Sequence, residues 1–156
     1  MAVYPPAGAL DHFAAAVARL RLGAATAAGT NVRLVARPLW HVTLAFLGEV
    51  PGDRAPAAAD ALAEGVARWR ATGADPPGLR LSGGGRFGRR QSTVLWVGLA
   101  GDVDALRSLG GLARRELRRA RLPYDRKPMR PHLTFARPGE RLPAADLAAD
   151  LVALAE

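Results

Sequence analysis

The chain has 156 residues, 49% of them hydrophobic, which is an ordinary size for one domain with its own core. It has no cysteine, which excludes a disulfide framework and a cysteine-zinc site, and no apolar run approaches the roughly 18 residues that a membrane span needs. We therefore expect a cytoplasmic protein. The net charge of +8 favours anionic partners, although nearly all of the 22 basic residues are arginines, which coding bias also supplies.

The first half of the chain predicts strands and helices in alternation. After a short strand at the N-terminal end, apolar residues at helical spacing predict a helix over residues 9–22. The weakly patterned residues 23–30 are expected to form a loop, and residues 32–35 a strand beside the strand of His41. A turn then leads into a second predicted helix, over residues 56–70.

The second half repeats the alternation. Residues 79–81 predict a short strand, and the glycine-rich, basic residues 83–90 a mobile loop. The loop lacks the Gly-Lys-Ser/Thr sequence of a phosphate-binding loop. The elements that follow are a strand over 93–99, a helix over 103–121 with outward arginines, the strand of His132 and a helix over 144–155.

Two of the three histidines lie in the same short motif. His41-x-Thr43 and His132-x-Thr134 are about half a chain apart, each in an apolar stretch typical of a strand. Residues two apart in a strand point to the same side, so each motif presents an imidazole and a hydroxyl on one surface. The repetition indicates an internal duplication, and a pseudo-two-fold axis would bring both motifs to one cleft. Two imidazoles and two hydroxyls suit acid-base chemistry on a phosphate.

These patterns predict an α+β fold in a single domain over residues 1–156. We expect two pseudo-symmetric lobes, each a small, mostly antiparallel sheet with outer helices, around a central cleft. His12 has no matching threonine and is expected at the surface. No Asp, Glu or Cys lies within either motif, so no metal site is predicted.

The paired motifs and their surroundings resemble the two-histidine phosphoesterase superfamily, and within it the RNA 2',3'-cyclic phosphodiesterases, or 2'-5' RNA ligase-like proteins. The resemblance spans most of the chain and rests on residues 38–48, 85–87, 94–98 and 131–137. It implies metal-independent, cofactor-free hydrolysis of a 2',3'-cyclic phosphate at the end of a tRNA-like or oligonucleotide RNA. The product would be a 2'-phosphomonoester, and the reaction reversible as 2'-5' ligation.

The same resemblance implies a role for each motif residue. His41 is the acid toward the 3' oxygen, His132 is the base for water, and Thr43 and Thr134 donate hydrogen bonds to the phosphate. From the residues alone, either histidine can serve as the acid.

Five residues after each histidine the motifs differ, with Phe46 in one and Arg137 in the other. By resemblance, Phe46 contacts a nucleobase and Arg137 the phosphate, which requires a bulge or a strand end to turn them inward. The alternatives are a core position for Phe46 and a solvated one for Arg137. A further set of residues is predicted to form a basic rim that contacts the RNA chain: Arg86, Phe87, Arg89, Arg90 and Arg130. The alternative is that they belong to an ordinary hairpin loop and its surroundings.

Two other functions remain open. One is hydrolysis of a small cyclic nucleotide, such as ADP-ribose cyclic phosphate, and the other is a non-catalytic nucleotide- or RNA-binding module. We expect a monomer that does not bind membranes. Members of the family usually have further strand residues at both ends, so either the sequence is curtailed or sheet edges are left open for a partner.

Overall fold

The computed structural model describes residues 1–155, which divide into two compact units. Unit 1 comprises Met1–Val3, Thr43–Leu79 and Gly101–Pro131, and unit 2 comprises Tyr4–Val42, Arg80–Ala100 and the chain from His132 onward. Each unit therefore takes segments from both halves of the sequence. No helix within residues 1–155 is long and apolar enough to span a membrane.

The strands of the described chain form one five-stranded sheet with the order β1-β2-β5-β4-β3. Both β2 and β4 pair antiparallel with β5. The α+β class and the antiparallel pairing are confirmed, but the prediction of a separate sheet in each lobe is wrong for the described strands, because β1 and β2 are too short to build one. The strands are β1 (Ala2–Val3), β2 (Val42–Thr43), β3 (Leu79–Phe87), β4 (Val94–Gly101) and β5 (His132–Ala136).

The strand β5 shows how the apolar pattern positions the second motif. Leu133 and Phe135 are fully buried on one side of the strand. His132 and Thr134 alternate with them and are half-buried on the other side. Burial of the two apolar side chains therefore sets the register that presents the imidazole and the hydroxyl.

Within residues 1–155, the α-helices of unit 2 are α1 (Ala7–Arg19), α2 (Arg21–Ala27) and α5 (Ala144–Ala153). The prediction of one helix followed by a loop over residues 23–30 is wrong, because α1 ends before Leu20 and α2 occupies most of the expected loop. The reason is a contact distant in sequence. The buried carboxylate of Asp150 accepts the backbone N–H groups of Arg21 at 2.8 Å and Leu22 at 3.0 Å, which satisfies the first turn of α2.

The strand expected over residues 32–35 is reduced to one bridge, between Leu34 and Ala136 at the end of β5. It pairs with β5 and not, as predicted, with the strand of His41. Arg33 has a φ of 51°, in the left-handed region, which interrupts the extended conformation.

The glycine-rich segment that predicts a loop is instead part of β3, which continues to Phe87. A Cβ on Gly85 would overlap the indole of Trp96 on β4. Gly85 thus lets the indole of Trp96 pack directly on the backbone of β3, and the composition of the segment alone does not reveal this contact. A turn follows at Gly88, with a φ of 71°, and leads into a 3-10 turn at Arg90–Ser92.

Unit 1 is built on the packing of α3 (Ala55–Arg70) against α4 (Val103–Arg119). At their contact, a Cβ on Gly65 would lie 2.7 Å from the Cα of Ala113, so the helices approach as closely as glycine allows. The buried carboxylate of Glu116 on α4 binds Arg68 and Arg119. The bounds of both helices, of β4 and of α5 are close to those predicted from the sequence.

Candidate active site

The first motif lies where the chain enters β2. His41 immediately precedes the strand and is half-buried, and its neighbour Trp40 is buried with its indole N–H donating to the carbonyl of Val35 at 2.9 Å. The Nδ1 atom of His41 is 2.7 Å from the carbonyl oxygen of Leu39. Because a carbonyl only accepts, Nδ1 carries a proton, and Nε2 is the nitrogen that can exchange one with a substrate.

The register of β5 brings residues of both motifs to one face. Val42 pairs with Leu133, and continuing this antiparallel register by one residue puts His41, which directly precedes β2, opposite Thr134. Directly opposed residues share a face of the sheet, and Thr134 shares its face with His132. Within unit 2, two imidazoles and one hydroxyl therefore lie on the same side of the sheet.

Aromatic rings surround the imidazole of His132. The ring of Phe87 meets it edge-on, with centroids 5.0 Å apart and planes at 83°, and the indole of Trp96 lies 5.9 Å away. Gly98 is the residue of β4 directly opposite His132, so no side chain from that position competes for space. The packing restricts the orientation of the imidazole.

Two neighbours of the site were not identified from the sequence. Tyr4 lies 5.8 Å from His41 between ring centroids, although the sequence indicates only the end of a strand there. Trp96 on β4 packs on His132, with ring centroids 5.9 Å apart. The pairing of β4 with β5 is what places it there, and local sequence carries no signal of that pairing. Its indole Nε1 is buried, with no hydrogen-bond partner among residues 1–155.

Three predicted site residues belong to unit 1. Thr43 is the second residue of β2 and is half-buried. Phe46 is 64% exposed, so the alternative of a core position for it is wrong. Its carbonyl accepts the backbone N–H of Asp125 at 2.8 Å. Arg130 is exposed.

The residues five positions after each histidine do follow strand ends. Strand β2 ends at Thr43, before Phe46, and β5 ends at Ala136, directly before Arg137. Both residues therefore lie outside the strands, where the strict alternation of side-chain faces no longer applies. Arg137 is exposed in unit 2.

The predicted basic rim divides into two kinds of position. Arg86 is exposed on β3, and Arg89 and Arg90 are exposed at the turn that follows the strand. Phe87 is half-buried against His132 and Trp96, so it supports the imidazole instead of projecting from a loop. Residues 1–155 contain no group of three His, Cys, Asp or Glu side chains placed to hold a metal ion.

Several known proteins are similar to this chain in sequence. A family model described as the 2'-5' RNA ligase superfamily matches residues 9–156. An RNA 2',3'-cyclic phosphodiesterase of Geobacillus stearothermophilus is 40% identical over 104 residues, which are 63% of this chain and only 30% of that protein.

Two solved structures show the same fold. LigT of E. coli complexed with 3'-AMP has a TM-score of 0.65 and 25% identity, over 88% of this chain and 71% of that one. TT0787 of Thermus thermophilus has a TM-score of 0.64 and 28% identity, over 92% of this chain and 74% of that one. The sequence match and the fold together assign the chain: it belongs to the 2'-5' RNA ligase superfamily.

Proposed function

We propose that this protein hydrolyses the 2',3'-cyclic phosphate at an RNA end to a 2'-phosphomonoester, without a metal ion, by acid-base catalysis with two histidines. The observation that carries the proposal is the register of β2 with β5, which puts His41, directly before β2, on the face of β5 that carries His132 and Thr134. The name of the Geobacillus relative and the 3'-AMP bound to LigT support a substrate of this class.

In the proposed step, the imidazole of His132 takes a proton from water as the water oxygen bonds to phosphorus. The bond from phosphorus to the 3' oxygen breaks, and Nε2 of protonated His41 donates its proton to that oxygen. A 2'-phosphomonoester and a free 3'-hydroxyl result, and solvent restores both protonation states. Each such proton transfer contributes about 10² to 10⁴-fold to the rate.

The bond to Leu39 supports the acid role of His41. Nδ1 donates to the same carbonyl whether the ring is neutral or protonated, so the ring keeps its orientation while Nε2 gains or loses its proton. In the proposed roles, Thr134 and Thr43 donate hydrogen bonds to the non-bridging oxygens, where negative charge grows in the transition state. An RNA 5'-hydroxyl in place of water would make the same step a 2'-5' ligation.

The remaining substrate contacts are proposed from position. Phe46 is a large exposed aromatic residue and is suited to stacking on a nucleobase. Arg137 is exposed directly after β5 and is suited to the charge of the phosphate. The arginines Arg86, Arg89, Arg90 and Arg130 are proposed to contact the RNA chain.

The deciding experiment incubates the protein, in EDTA, with a short RNA that ends in a 2',3'-cyclic phosphate. We expect conversion to a 2'-phosphate, and a loss of at least about 10²-fold in rate in each of His41→Ala and His132→Ala. His12→Ala is the matched control, since His12 is exposed on α1 and is expected to leave the rate unchanged.

Other outcomes of this experiment identify a different function. Turnover of a small cyclic nucleotide but not of RNA would assign the smaller substrate. Binding of RNA without any turnover by folded wild-type protein would assign a binding module. A rate abolished by EDTA and restored by a divalent metal would contradict the two-histidine mechanism.

The role of Phe46 is tested separately. Phe46→Ala is expected to raise KM for the RNA while changing the free energy of unfolding by no more than about 0.5 kcal/mol, because the side chain is mostly exposed. Val152→Ala is the control, since Val152 is equally exposed at 64% and lies on α5. The cytoplasmic location and the monomeric state expected from the sequence stay predictions.

A further inference from the structure

A cavity of about 510 Å³ lies in unit 1, beyond the end of α4. We call it the arginine groove, and its lining residues are Arg118, Arg121, Leu122, Pro123, Tyr124 and Arg126. The acid-base chemistry proposed for the two histidine motifs uses none of these residues. A groove of this volume is large enough for a nucleotide-sized ligand.

The turn at the end of α4 contributes residues to the lining of the groove. Arg121 has a φ of 54°, in the left-handed region, and its backbone N–H donates to the carbonyl of Arg118 at 3.0 Å. The next residue, Leu122, is buried at 5% exposure and donates its backbone N–H to Leu117. Burial of Leu122 thus stabilises Arg121 in a backbone conformation that glycine and asparagine adopt more readily. The turn around it is fixed independently of any ligand.

The positive charge of the groove is not neutralised within residues 1–155. The nearby carboxylates are already bound elsewhere, Glu116 by Arg68 and Arg119, and Asp125 by Lys127. Across the described chain, Arg118, Arg121 and Arg126 form no ion pair with a carboxylate. Unpaired guanidinium groups around one concave surface attract an anion that carries several charges.

Tyr124 adds a polar and an aromatic surface. Its hydroxyl oxygen accepts a hydrogen bond from Nη1 of Arg118 at 2.8 Å, which leaves the hydroxyl its own proton to donate. The guanidinium of Arg114 lies 5.9 Å from the centre of its ring. These contacts hold the tyrosine in place at the wall of the groove.

We propose that the arginine groove binds backbone phosphates of single-stranded RNA, other than the cyclic phosphate that reacts. A planar guanidinium group can donate two parallel hydrogen bonds to two oxygens of one phosphate. A neighbouring tyrosine can donate its hydroxyl proton to phosphate and stack its ring on a base. The proposal rests on the proposed function for the choice of RNA and deepens it, because it assigns a contact to the substrate chain beyond its end.

The test measures affinity for a fluorescent single-stranded RNA with an ordinary 3'-hydroxyl end, so turnover plays no part in it. The groove variant combines Arg118→Gln, Arg121→Asn and Arg126→Gln, with asparagine chosen at the left-handed position because it tolerates that conformation. The control variant combines Arg19→Gln, Arg70→Gln and Arg80→Gln. These three arginines are also exposed, and the change in net charge is the same.

We expect the groove variant to raise Kd about tenfold or more, and the control variant by much less. The dependence of log Kd on log salt should also weaken by about 2 in the groove variant, since each lost phosphate contact on a single strand removes about 0.7. Arg126→Gln alone serves if the triple variant does not fold, because this guanidinium makes no hydrogen bond or ion pair within the described chain. It should weaken the salt dependence by about 0.7.

Equal losses of affinity in the groove and control variants would overturn the proposal, because net charge alone would then explain binding. The proposal would also be overturned if the groove variant lost as much affinity for a poly-glutamate peptide as for RNA, because the groove would then bind acidic polymers in general. Failure of the wild-type protein to hydrolyse a cyclic phosphate would count against the proposed function alone. The binding comparison would still decide whether the groove takes RNA.

Discussion

The indole of Trp96 lies against the imidazole of His132, with ring centroids 5.9 Å apart, and a Cβ on Gly85 would overlap that indole. Phe87 contacts both rings, at 5.3 Å from Trp96 and 5.0 Å from His132. The orientation of the imidazole therefore depends on packing between three strands, and that packing requires glycine on β3. Trp96, Phe87 and Gly85 are positioning residues for His132.

We predict that Gly85→Ala destabilises the protein by about 1–3 kcal/mol, because the added methyl group must displace Trp96 or move a strand. Turnover of a cyclic phosphate should fall as well, since His132 loses a fixed neighbour. Urea unfolding and initial rates measure the two effects. Adding Trp96→Phe to Gly85→Ala makes room for the methyl group, so the combined loss of stability should be smaller than the sum of the single losses. Additive losses would contradict the proposed contact.

Two glycines of the helix pair should respond in opposite directions to alanine. Gly65→Ala places a methyl group 2.7 Å from the Cα of Ala113, so α3 and α4 must separate, at a cost of about 2 kcal/mol or more. Gly111→Ala on α4 meets no atom within 4 Å and should stabilise the protein by about 0.5–1 kcal/mol through helix propensity. Thermal unfolding measures the change in Tm of each variant relative to wild type. Changes of the same sign in the two variants would contradict the packing described for α3 and α4.

The buried carboxylate of Asp150 should contribute strongly to stability. Asp150→Ala leaves the backbone N–H groups of Arg21 and Leu22 without their acceptor, and we expect a loss of about 2 kcal/mol or more. Asp150→Asn keeps one oxygen and should lose less. The control is Asp146→Ala on the same helix, whose partly exposed ion pair with Arg21 is worth at most about 1 kcal/mol. Comparable losses in Asp150→Ala and Asp146→Ala would be inconsistent with the role assigned to Asp150.

The turn beside Phe46 should be sensitive to acid. The backbone N–H of Lys127 donates to the carboxylate of Asp125 and, with the charge of Lys127, holds the pKa of Asp125 below its ordinary value of 3.8. A lowered folded pKa means that this contribution to stability is complete above the ordinary value and is lost as the pH falls through the lowered one. When the free energy of unfolding is measured in urea as the pH is lowered from 5 through the pKa of Asp125, it should decline less for Asp125→Asn than for wild type. Identical declines would remove Asp125 as a cause.

Several elements were predictable because their signal is local. The alternation of apolar and polar residues around His132 predicts β5 and the face that its histidine occupies. The long apolar periodicities of α3 and α4 predict both helices close to their true bounds. The paired motifs indicate the family before any contact is known, because two copies of one pattern in two apolar strands seldom arise by chance.

Other elements depend on residues far apart in the chain. The start of α2 depends on hydrogen bonds to Asp150, and Gly85 lies within β3 where the indole of Trp96 leaves no room for a side chain. Neither contact is visible in the local sequence, so the loops predicted over residues 23–30 and 83–90 were wrong. The exposed position of Phe46 likewise could not be chosen over a core position from the sequence, since an aromatic residue after an apolar strand fits both.

The sequence by itself determined the secondary structure of the long periodic elements and the face of β5 on which His132 lies, because neighbouring residues in a strand or helix have fixed relative directions. Only the tertiary structure decided which strand lies beside β5, and hence that Trp96 and Phe87 surround His132, because pairing between strands is determined by packing that no local pattern encodes.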